Sequence, residues 1–307
     1  MSLKYEILKR AVRMAGLKNR SGKTAEEILK IKTAENRKNR IPQLHDPAMI
    51  IDLIQIDGFP VMRMIHRQKT DRATLFIIGG GMVTPPRPGS IRKALKSAKQ
   101  TGCDVYVPYY PLCTEYPVTR AYQMIHSTYL KMLQNYSPEN ISVLGTSSGG
   151  NLALGMIPYI NAEHPEVPKP AYILAISPGT CVSSEEERKA LEALDEKDVA
   201  ISAEYMFTAE EILRHGETDI PEYMIFLQKG DFTYDGKITL IYGSDECLYG
   251  FEPSFERAFA KYHARYDLIV GEGMFHCWPV FPVVKEARQG WDLMIRLIRT
   301  HGRREEE

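Results

Sequence analysis

Side chains that together perform nucleophilic catalysis follow the ends of separate apolar segments in this 307-residue sequence. Ser147 is the central residue of a glycine-flanked pentapeptide, the adjacent carboxylates Asp245 and Glu246 come later, and His276 comes last. A serine hydroxyl becomes nucleophilic when a histidine removes its proton and a carboxylate orients that histidine. These residue types therefore predict acyl transfer through Ser147, with either carboxylate able to serve as the acid.

The pentapeptide at residues 145–149 has the pattern G-x-S-x-G, which predicts an abrupt turn from a strand into a helix. At such a turn the serine takes strained backbone angles, and side chains in place of the two glycines would collide across it. A tight turn that merely contains serine and glycine is the alternative. The apolar residues before it, Ile141 and Val143, and after it, Leu152, favour the nucleophile elbow.

A glycine triplet, residues 79–81, follows the apolar strand predicted at residues 74–78. Without side chains, backbone N–H groups can approach a substrate carbonyl oxygen closely, so the triplet is a candidate oxyanion hole. A dinucleotide-binding loop is disfavoured, because its G-x-G-x-x-G pattern would require glycine at Thr84 and a helix where prolines follow.

His276 ends a glycine-rich segment that directly follows another apolar strand pattern, whereas the remaining histidines lie in predicted helices, the hairpin or polar segments. A lone histidine is more often a core residue with a satisfied hydrogen bond. Because ligands bind at the carboxyl ends of parallel strands, this position favours a catalytic role. Cys247 and Cys277 flank the candidate acid and histidine, and we interpret both as packing residues, since neither lies on an elbow.

Short apolar strands alternate with helices along most of the chain, which predicts an α/β fold with a mostly parallel, doubly wound sheet. Asp57-Gly58 between two apolar runs predicts an antiparallel hairpin that leads into this sheet. Residues 183–228 contain no strand pattern and are predicted to form, with residues 1–45, a helical cap. The predicted organisation is an N-terminal helical arm at 1–45, a main domain at 46–300 with a cap insertion at about 183–228, and a tail at 301–307. The strands are predicted at 74–78, 104–108, 140–144, 171–176, 237–242 and 266–270.

Composition narrows the range of partners and compartments. Net charge is zero and the charged share is 25%, which argues against nucleic acid or an anionic membrane as the partner. No apolar run is long enough for a membrane span, and the N-terminus lacks the pattern of a signal peptide. The five cysteines form neither metal-binding pairs nor a disulfide framework, so a cytoplasmic location is expected. The oligomeric state stays open, with a homodimer as one option.

Residues 74–285 resemble the hormone-sensitive-lipase-like branch of the α/β-hydrolase esterases. The run at 145–153, GTSSGGNLA, is similar to that family's G-[DT]-S-A-G-G-N-L-A, and residues 79–81 are similar to its H-G-G-G motif. Residues 110–117 resemble its Y-R-L-A-P-E-x-P segment, and residues 271–276 resemble its histidine loop. The order serine, acid, histidine is also that of the α/β-hydrolase fold.

This resemblance implies the α/β-hydrolase fold with a helical cap, Ser147 as nucleophile and His276 as base. By the family's spacing, a glycine, two residues and then the acid, Glu246 is favoured over Asp245. The implied oxyanion donors are the backbone N–H groups of Gly80, Gly81 and Ser148. The expected activity is hydrolysis of small-molecule carboxylic esters with short-to-medium acyl chains, without a metal or other cofactor. An amidase or peptidase on the same scaffold, and a catalytically silent binding protein, are the alternatives.

The sequence departs from the family pattern around the proposed site. Ile78 stands where the family has the histidine that helps to hold the glycine loop by hydrogen bonds. Ser148 replaces the alanine after the nucleophile, while Pro111 and Thr114 replace an arginine and a proline of the Y-R-L-A-P-E segment. The loop geometry and its supporting network must therefore differ from the family's. Five apolar or aromatic cap residues could line an acyl pocket or form the cap's own core, namely Met206, Phe207, Tyr223, Met224 and Phe226.

Overall fold

The computed structural model describes residues 22–281 and 284–303, together with Arg10 and Lys18. Within these residues, eight strands form one sheet with the order β1-β2-β4-β3-β5-β6-β7-β8. The strands are β1 (Met49–Ile56), β2 (Phe59–His66), β3 (Ala73–Ile77), β4 (Asp104–Pro108), β5 (Ile141–Thr146), β6 (Tyr172–Ile176), β7 (Lys237–Gly243) and β8 (Tyr266–Gly271).

Helices occupy most of the segments between the strands and follow the last strand. They are α1 (Ala25–Asn36), α2 (Pro88–Thr101), α3 (Val118–Leu133), α4 (Ser148–Glu163), α5 (Glu185–Asp195), α6 (Ala203–Phe207), α7 (Ala209–Arg214), α8 (Glu222–Ile225), α9 (Glu252–Lys261) and α10 (Lys285–Thr300). Short 3₁₀ turns lie at Pro138–Asn140, Leu227–Lys229, Cys247–Phe251 and Trp278–Val280.

The predicted hairpin is confirmed, because β1 and β2 pair antiparallel through a turn at Asp57-Gly58. Both turn residues have positive φ, 52° for Asp57 and 84° for Gly58, which is the backbone that a tight hairpin with right-handed twist requires. Strand β2 also pairs antiparallel with β4, whereas β3 to β8 pair with one another in parallel. The mostly parallel, doubly wound sheet predicted from the sequence is therefore confirmed.

Hydrophobic clusters cover both faces of the sheet. On one face, α2 and α10 contribute residues such as Ile91 and Trp291 to a core that includes Leu174 of β6. On the other face, α3, α4 and α9 contribute residues such as Tyr122, Leu152 and Phe255. Strands β3, β4 and β5 are buried along their whole length, which explains their continuous apolar sequences.

The segment between β6 and β7 is helical, with α5, α6, α7 and α8 in succession. Asp198, only 2% exposed, lies between α5 and α6. One carboxylate oxygen of Asp198 accepts the N–H groups of Ala200 and Ile201, at 2.7 and 3.0 Å. The other accepts the N–H of Cys247 at 2.7 Å, next to Glu246. This helical segment is therefore attached directly to the loop that follows β7.

The N-terminal arm contributes α1, which begins at a capping box between Thr24 and Glu27. The amide of Asn36 at the end of α1 donates to the carbonyl oxygen of Val83 at 2.8 Å, close to the glycine triplet. Residues 1–21 of the predicted helical arm lie outside the described residues, apart from Arg10 and Lys18, and so do residues 304–307 of the predicted tail.

Candidate active site

The elbow at Ser147 has the strained backbone that its motif predicts. Ser147 joins β5 to α4 with φ 54° and ψ −128°, outside the regions that serine normally occupies. A Cβ atom at Gly145 would collide with the carbonyl oxygen of Gly149, and one at Gly149 would collide with the carbonyl oxygen of Ile77. Only glycine at both positions allows the strand, the turn and β3 to approach this closely.

Ser147, His276 and Glu246 form a continuous hydrogen-bonded series. Nε2 of His276 lies 3.0 Å from Oγ of Ser147, and Nδ1 lies 2.6 Å from Oε2 of Glu246. The three residues follow β5, β8 and β7, whose parallel pairing brings their carboxyl ends to one edge of the sheet. With its Nδ1–H directed at the carboxylate, the imidazole leaves Nε2 free to accept the serine proton.

Glu246, rather than Asp245, is the carboxylate in contact with the histidine. Its second oxygen, Oε1, accepts the Gly243 N–H at 2.7 Å and the Ser177 hydroxyl at 2.8 Å. Glu246 is fully buried, whereas Asp245 is half-buried. Three hydrogen bonds therefore hold the Glu246 carboxylate, one from the histidine and two from the surrounding loops.

Ser177 is a supporting residue that we did not predict from the sequence. It is fully buried at the end of β6 with φ 51°. Its hydroxyl donates to Glu246 and accepts the N–H of Cys277 at 2.8 Å, so it links the acid loop to the histidine loop. Its place directly after an apolar strand, at the same sheet edge as the other groups, is the sequence signal that could have identified it.

The environment of His276 favours its protonated form. Burial disfavours the charged ring, but the neighbouring Cys277 and Glu246 side chains outweigh burial and raise the pKa of His276 well above its usual 6.5. The Glu246 carboxylate provides the negative charge that stabilises an imidazolium at this place. Cys277 is buried, and its sulfur lies 3.5 Å from Nε2 of His276. Cys247 is also buried, and burial raises the pKa of its thiol, in keeping with a packing role.

The glycine loop, residues 78–82, lies beside the elbow, but its N–H groups differ in what they contact. A Cβ at Gly79 would collide with the carbonyl oxygen of Thr146, so this loop passes directly over the turn. The Gly80 N–H donates to Oγ of Ser148 at 3.0 Å. This differs from the prediction that Gly80 points at the substrate, and the cause is the Ser148 hydroxyl, which the family's alanine lacks. Among the described residues, the N–H groups of Gly81 and Ser148 have no hydrogen-bond partner.

Ser147 and the glycine loop open into a cavity of about 350 Å³. The hydroxyl of Tyr205, on α6, lies against Gly81, and burial raises the pKa of Tyr205 to about 12. Of the five cap residues proposed from the sequence, only Met206 lines this cavity. Tyr223 instead packs against Tyr122. The apolar part of the wall comes mainly from the segment between β6 and β7 and from the loop after β7, through Ile201, Tyr205, Met206, Ile212, Leu213 and Leu248.

The described part of the chain contains no group of three or more potential metal-ligating side chains that could hold an ion. In the same residues, no helix has both the length and the apolar character needed to cross a bilayer.

Comparison with known proteins identifies the class to which this arrangement belongs. Residues 74–280 match the model of a family described as having the alpha/beta hydrolase fold. Because this match covers more than half of the chain, the protein belongs to the α/β-hydrolase fold family. The fold class predicted from the sequence is therefore confirmed.

Individual relatives agree with this assignment. The chain is 32% identical over 123 residues to a triacylglycerol lipase of Mycobacterium tuberculosis (strain ATCC 25618 / H37Rv), an alignment that spans 39% of this chain and 28% of the lipase. An esterase from the bacterial hormone-sensitive lipase family has a TM-score of 0.79 at 18% identity, with 99% of each chain covered. An esterase/lipase from an uncultured bacterium has a TM-score of 0.78 at 16% identity, covering 98% of this chain and 99% of its own. The resemblance seen in the motifs is thus matched by the fold of a solved member of that branch.

Proposed function

We propose that this protein is a serine carboxylic-ester hydrolase that works through an acyl-enzyme intermediate. The observation that carries the proposal is the unbroken series Ser147–His276–Glu246, which lies next to two unused backbone N–H groups in one cavity. A nucleophile, a base with a fixed tautomer and an oxyanion site are the three components that acyl transfer requires. Membership of the α/β-hydrolase fold family and likeness to esterases and lipases support the same assignment.

In the first half-reaction, His276 takes the proton of Ser147 as Oγ attacks the ester carbonyl carbon. The carbonyl oxygen becomes negative and accepts hydrogen bonds from the N–H groups of Gly81 and Ser148. When the tetrahedral intermediate collapses, the C–O bond to the alcohol breaks, and His276 gives its proton to the departing oxygen. The acyl group remains on Ser147, and Glu246 stabilises the transient imidazolium.

In the second half-reaction, water replaces the alcohol. His276 takes a proton from the water, which attacks the acyl carbon and again places negative charge on the carbonyl oxygen. Collapse breaks the bond to Ser147, His276 returns the proton to Oγ, and the carboxylic acid leaves. Protons and electrons balance without a metal or redox cofactor.

The cavity supports a short-to-medium acyl group as the substrate's apolar part. About 350 Å³ with a mainly apolar wall suits a small-molecule ester better than a long acyl chain. We assign α1 and the helices between β6 and β7 to a cap over the sheet edge, because Asn36 and Tyr205 both reach the glycine loop. The five cysteines are free and buried, in keeping with the proposed reducing cytoplasm. A homodimer stays a prediction that light scattering tests.

The proposal is tested by hydrolysis of p-nitrophenyl acetate, butyrate and octanoate by the wild type and Ser147→Ala. We expect loss of more than about 10³-fold in kcat for Ser147→Ala, since the nucleophile and base act as a unit. Ser142→Ala is a matched control, because Ser142 is a buried serine of β5 whose hydroxyl has no hydrogen-bond partner among the described residues. Equal rates in Ser147→Ala and the control would refute the mechanism.

The same preparations distinguish the alternatives. A fluorophosphonate probe should label the wild type covalently at Ser147 and leave Ser147→Ala unlabelled. Faster turnover of butyranilide than of p-nitrophenyl butyrate would assign the protein to amidases instead. Absence of both labelling and turnover in the folded wild type would indicate a silent binding protein.

A further inference from the structure

We propose that Ser148 is a positioning residue whose hydroxyl holds the glycine loop over the nucleophile and leaves Gly81 and Ser148 as the two oxyanion donors. The glycine loop is defined here as residues 78–82. This inference rests on the proposed function, because it assigns a role in stabilising the same oxyanion.

The hydroxyl of Ser148 ties together two separate points of the loop. Its oxygen accepts the N–H of Gly80 at 3.0 Å and the N–H of Met82 at 3.1 Å. A hydroxyl oxygen has two lone pairs, and these two bonds use both. The residues between and around these donors have positive φ, 63° at Gly81 and 58° at Met82, a conformation that needs external support in a non-glycine residue.

Tyr110, a neighbour of Ser148, extends this support to the start of the loop. The side chain of Ser148 lies next to that of Tyr110, and the Tyr110 hydroxyl donates to the carbonyl oxygen of Ile78 at 3.0 Å. Tyr110 is buried, and burial raises its pKa, so the hydroxyl keeps its proton at any working pH. Through these adjacent side chains, Ser148 and Tyr110 form a connection between Ile78 at one end of the loop and Met82 at the other.

This connection unites two departures from the family pattern that are distant in the sequence. Position 78 has isoleucine where the resemblance leads us to expect a loop-holding histidine, and position 148 has serine where it leads us to expect alanine. The side chain of Ile78 is buried in the apolar core and cannot donate a hydrogen bond. The Ser148 hydroxyl supplies the anchoring that position 78 lacks.

The anchoring has a consequence for the chemistry. Because the Gly80 N–H is engaged by Ser148, the N–H groups that remain for a substrate oxyanion are those of Gly81 and Ser148 itself. Ser148 thus acts on the oxyanion site twice, through its backbone as a donor and through its side chain as the support of the other donor. Preorganised donors stabilise the transition state only while their positions are fixed before reaction.

Ser148→Ala removes the hydroxyl and keeps the backbone donor. We expect kcat for p-nitrophenyl butyrate to fall about tenfold, equivalent to about 1.4 kcal/mol, with KM changed less than about twofold. The inhibition constant of butylboronic acid, which forms a tetrahedral adduct on Ser147, should rise by a similar factor. Rates are normalised to the fraction of enzyme titrated by a fluorophosphonate, so that loss of folded protein is not counted.

Ser142→Ala again provides the matched control, since it deletes a buried hydroxyl from the same strand without breaking a bond. Tyr110→Phe breaks the other half of the connection, and combined with Ser148→Ala it should cost less than the sum of the two single changes. If kcat per titrated site in Ser148→Ala equals that of the control, the hydroxyl does not position the loop. If kcat rises, the hydroxyl competes with the oxyanion for Gly80, which also overturns the proposal.

These outcomes are distinct from failure of the proposed function. An inactive wild type, or an active Ser147→Ala, would refute the esterase mechanism itself. An active wild type with an unaffected Ser148→Ala would refute only the role of the Ser148 hydroxyl.

Discussion

Replacing Glu246 by Gln is the sharpest single test of how this site works. The carboxylate accepts hydrogen bonds from Nδ1 of His276 at 2.6 Å, from the Gly243 N–H at 2.7 Å and from the Ser177 hydroxyl at 2.8 Å. Two of these three donors already face Oε1, so the amide oxygen of glutamine should take that position. Its NH₂ group then faces Nδ1 of His276. To accept a hydrogen bond from this group, the imidazole must change to the tautomer that carries its proton on Nε2.

The consequence follows from which ring nitrogen carries the proton. With Nδ1 accepting from the amide, Nε2 carries the hydrogen and can no longer remove the proton of Ser147 at 3.0 Å. An Asp-to-Asn change of this kind lowers kcat by about 10⁴ in a serine protease, with geometry intact. We expect a loss of about 10³- to 10⁴-fold in kcat for Glu246→Gln. The loss is measured by steady-state hydrolysis of p-nitrophenyl butyrate. Rates are normalised to the amount of folded protein, which circular dichroism determines.

Asp245→Asn provides the matched control, because it makes the same chemical change one residue away. Asp245 lies in the same loop, and its backbone N–H donates to the carbonyl oxygen of Met274 in the histidine segment. We expect its kcat to stay within about threefold of the wild type. A large loss in Asp245→Asn together with near-normal activity in Glu246→Gln would refute the assignment of the acid.

Three further outcomes follow from the structure. The pKa of His276 is raised above 6.5, and the base must be neutral to act, so kcat/KM should be low in acid and rise with pH through a value above 6.5. A pH–rate profile whose rising limb lies below 6.5 would contradict this expectation. Gly149→Ala places a Cβ against the Ile77 carbonyl oxygen, so we expect the free energy of unfolding, measured in urea, to fall by at least about 3 kcal/mol. Gly89→Ala is the control, because there is open space around Gly89. Leu213→Trp narrows the cavity, so kcat/KM for the octanoate ester should fall at least about tenfold more than kcat/KM for the acetate ester. An equal loss of kcat/KM for both esters would place Leu213 outside the acyl pocket.

The sequence predicted most of the frame because its signals are local. The Asp57-Gly58 turn, the continuous apolar strands and the glycines around Ser147 each impose a backbone conformation on their own neighbours, and each prediction of structure was confirmed. The capping box between Thr24 and Glu27 at the start of α1 is a local signal of the same kind, seen in the structure. The catalytic roles of Ser147 and His276 stay predictions that the described geometry supports.

The choice of the acid depends on contacts between loops that are far apart in the sequence. Asp245 and Glu246 are adjacent after the same strand, and the choice between them follows from the pairing of Gly243 with Gly271, which sets where the histidine loop passes. A Cβ at Gly243 would collide with the carbonyl oxygen of Met274, so this closeness is built into the backbone.

The support of the site was equally hidden. Ser177 bridges the loops after β7 and β8, yet it lies 69 residues from Glu246 and 100 from Cys277 in the chain. The hydrogen bond from the Gly80 N–H to Ser148 Oγ likewise joins residues that are 68 positions apart in the chain. Motif spacing identified these segments but did not indicate which polar groups would satisfy one another.

The bond from Asp198 to the N–H of Cys247 has an evolutionary consequence. Asp198 belongs to the helical segment that lines the cavity, whereas Cys247 follows Glu246, the proposed acid. Recombination that exchanged this segment for a foreign one lacking the aspartate would leave a buried N–H without an acceptor beside Glu246. We therefore expect point changes within the segment to alter specificity with less damage to the proposed site than replacement of the whole segment.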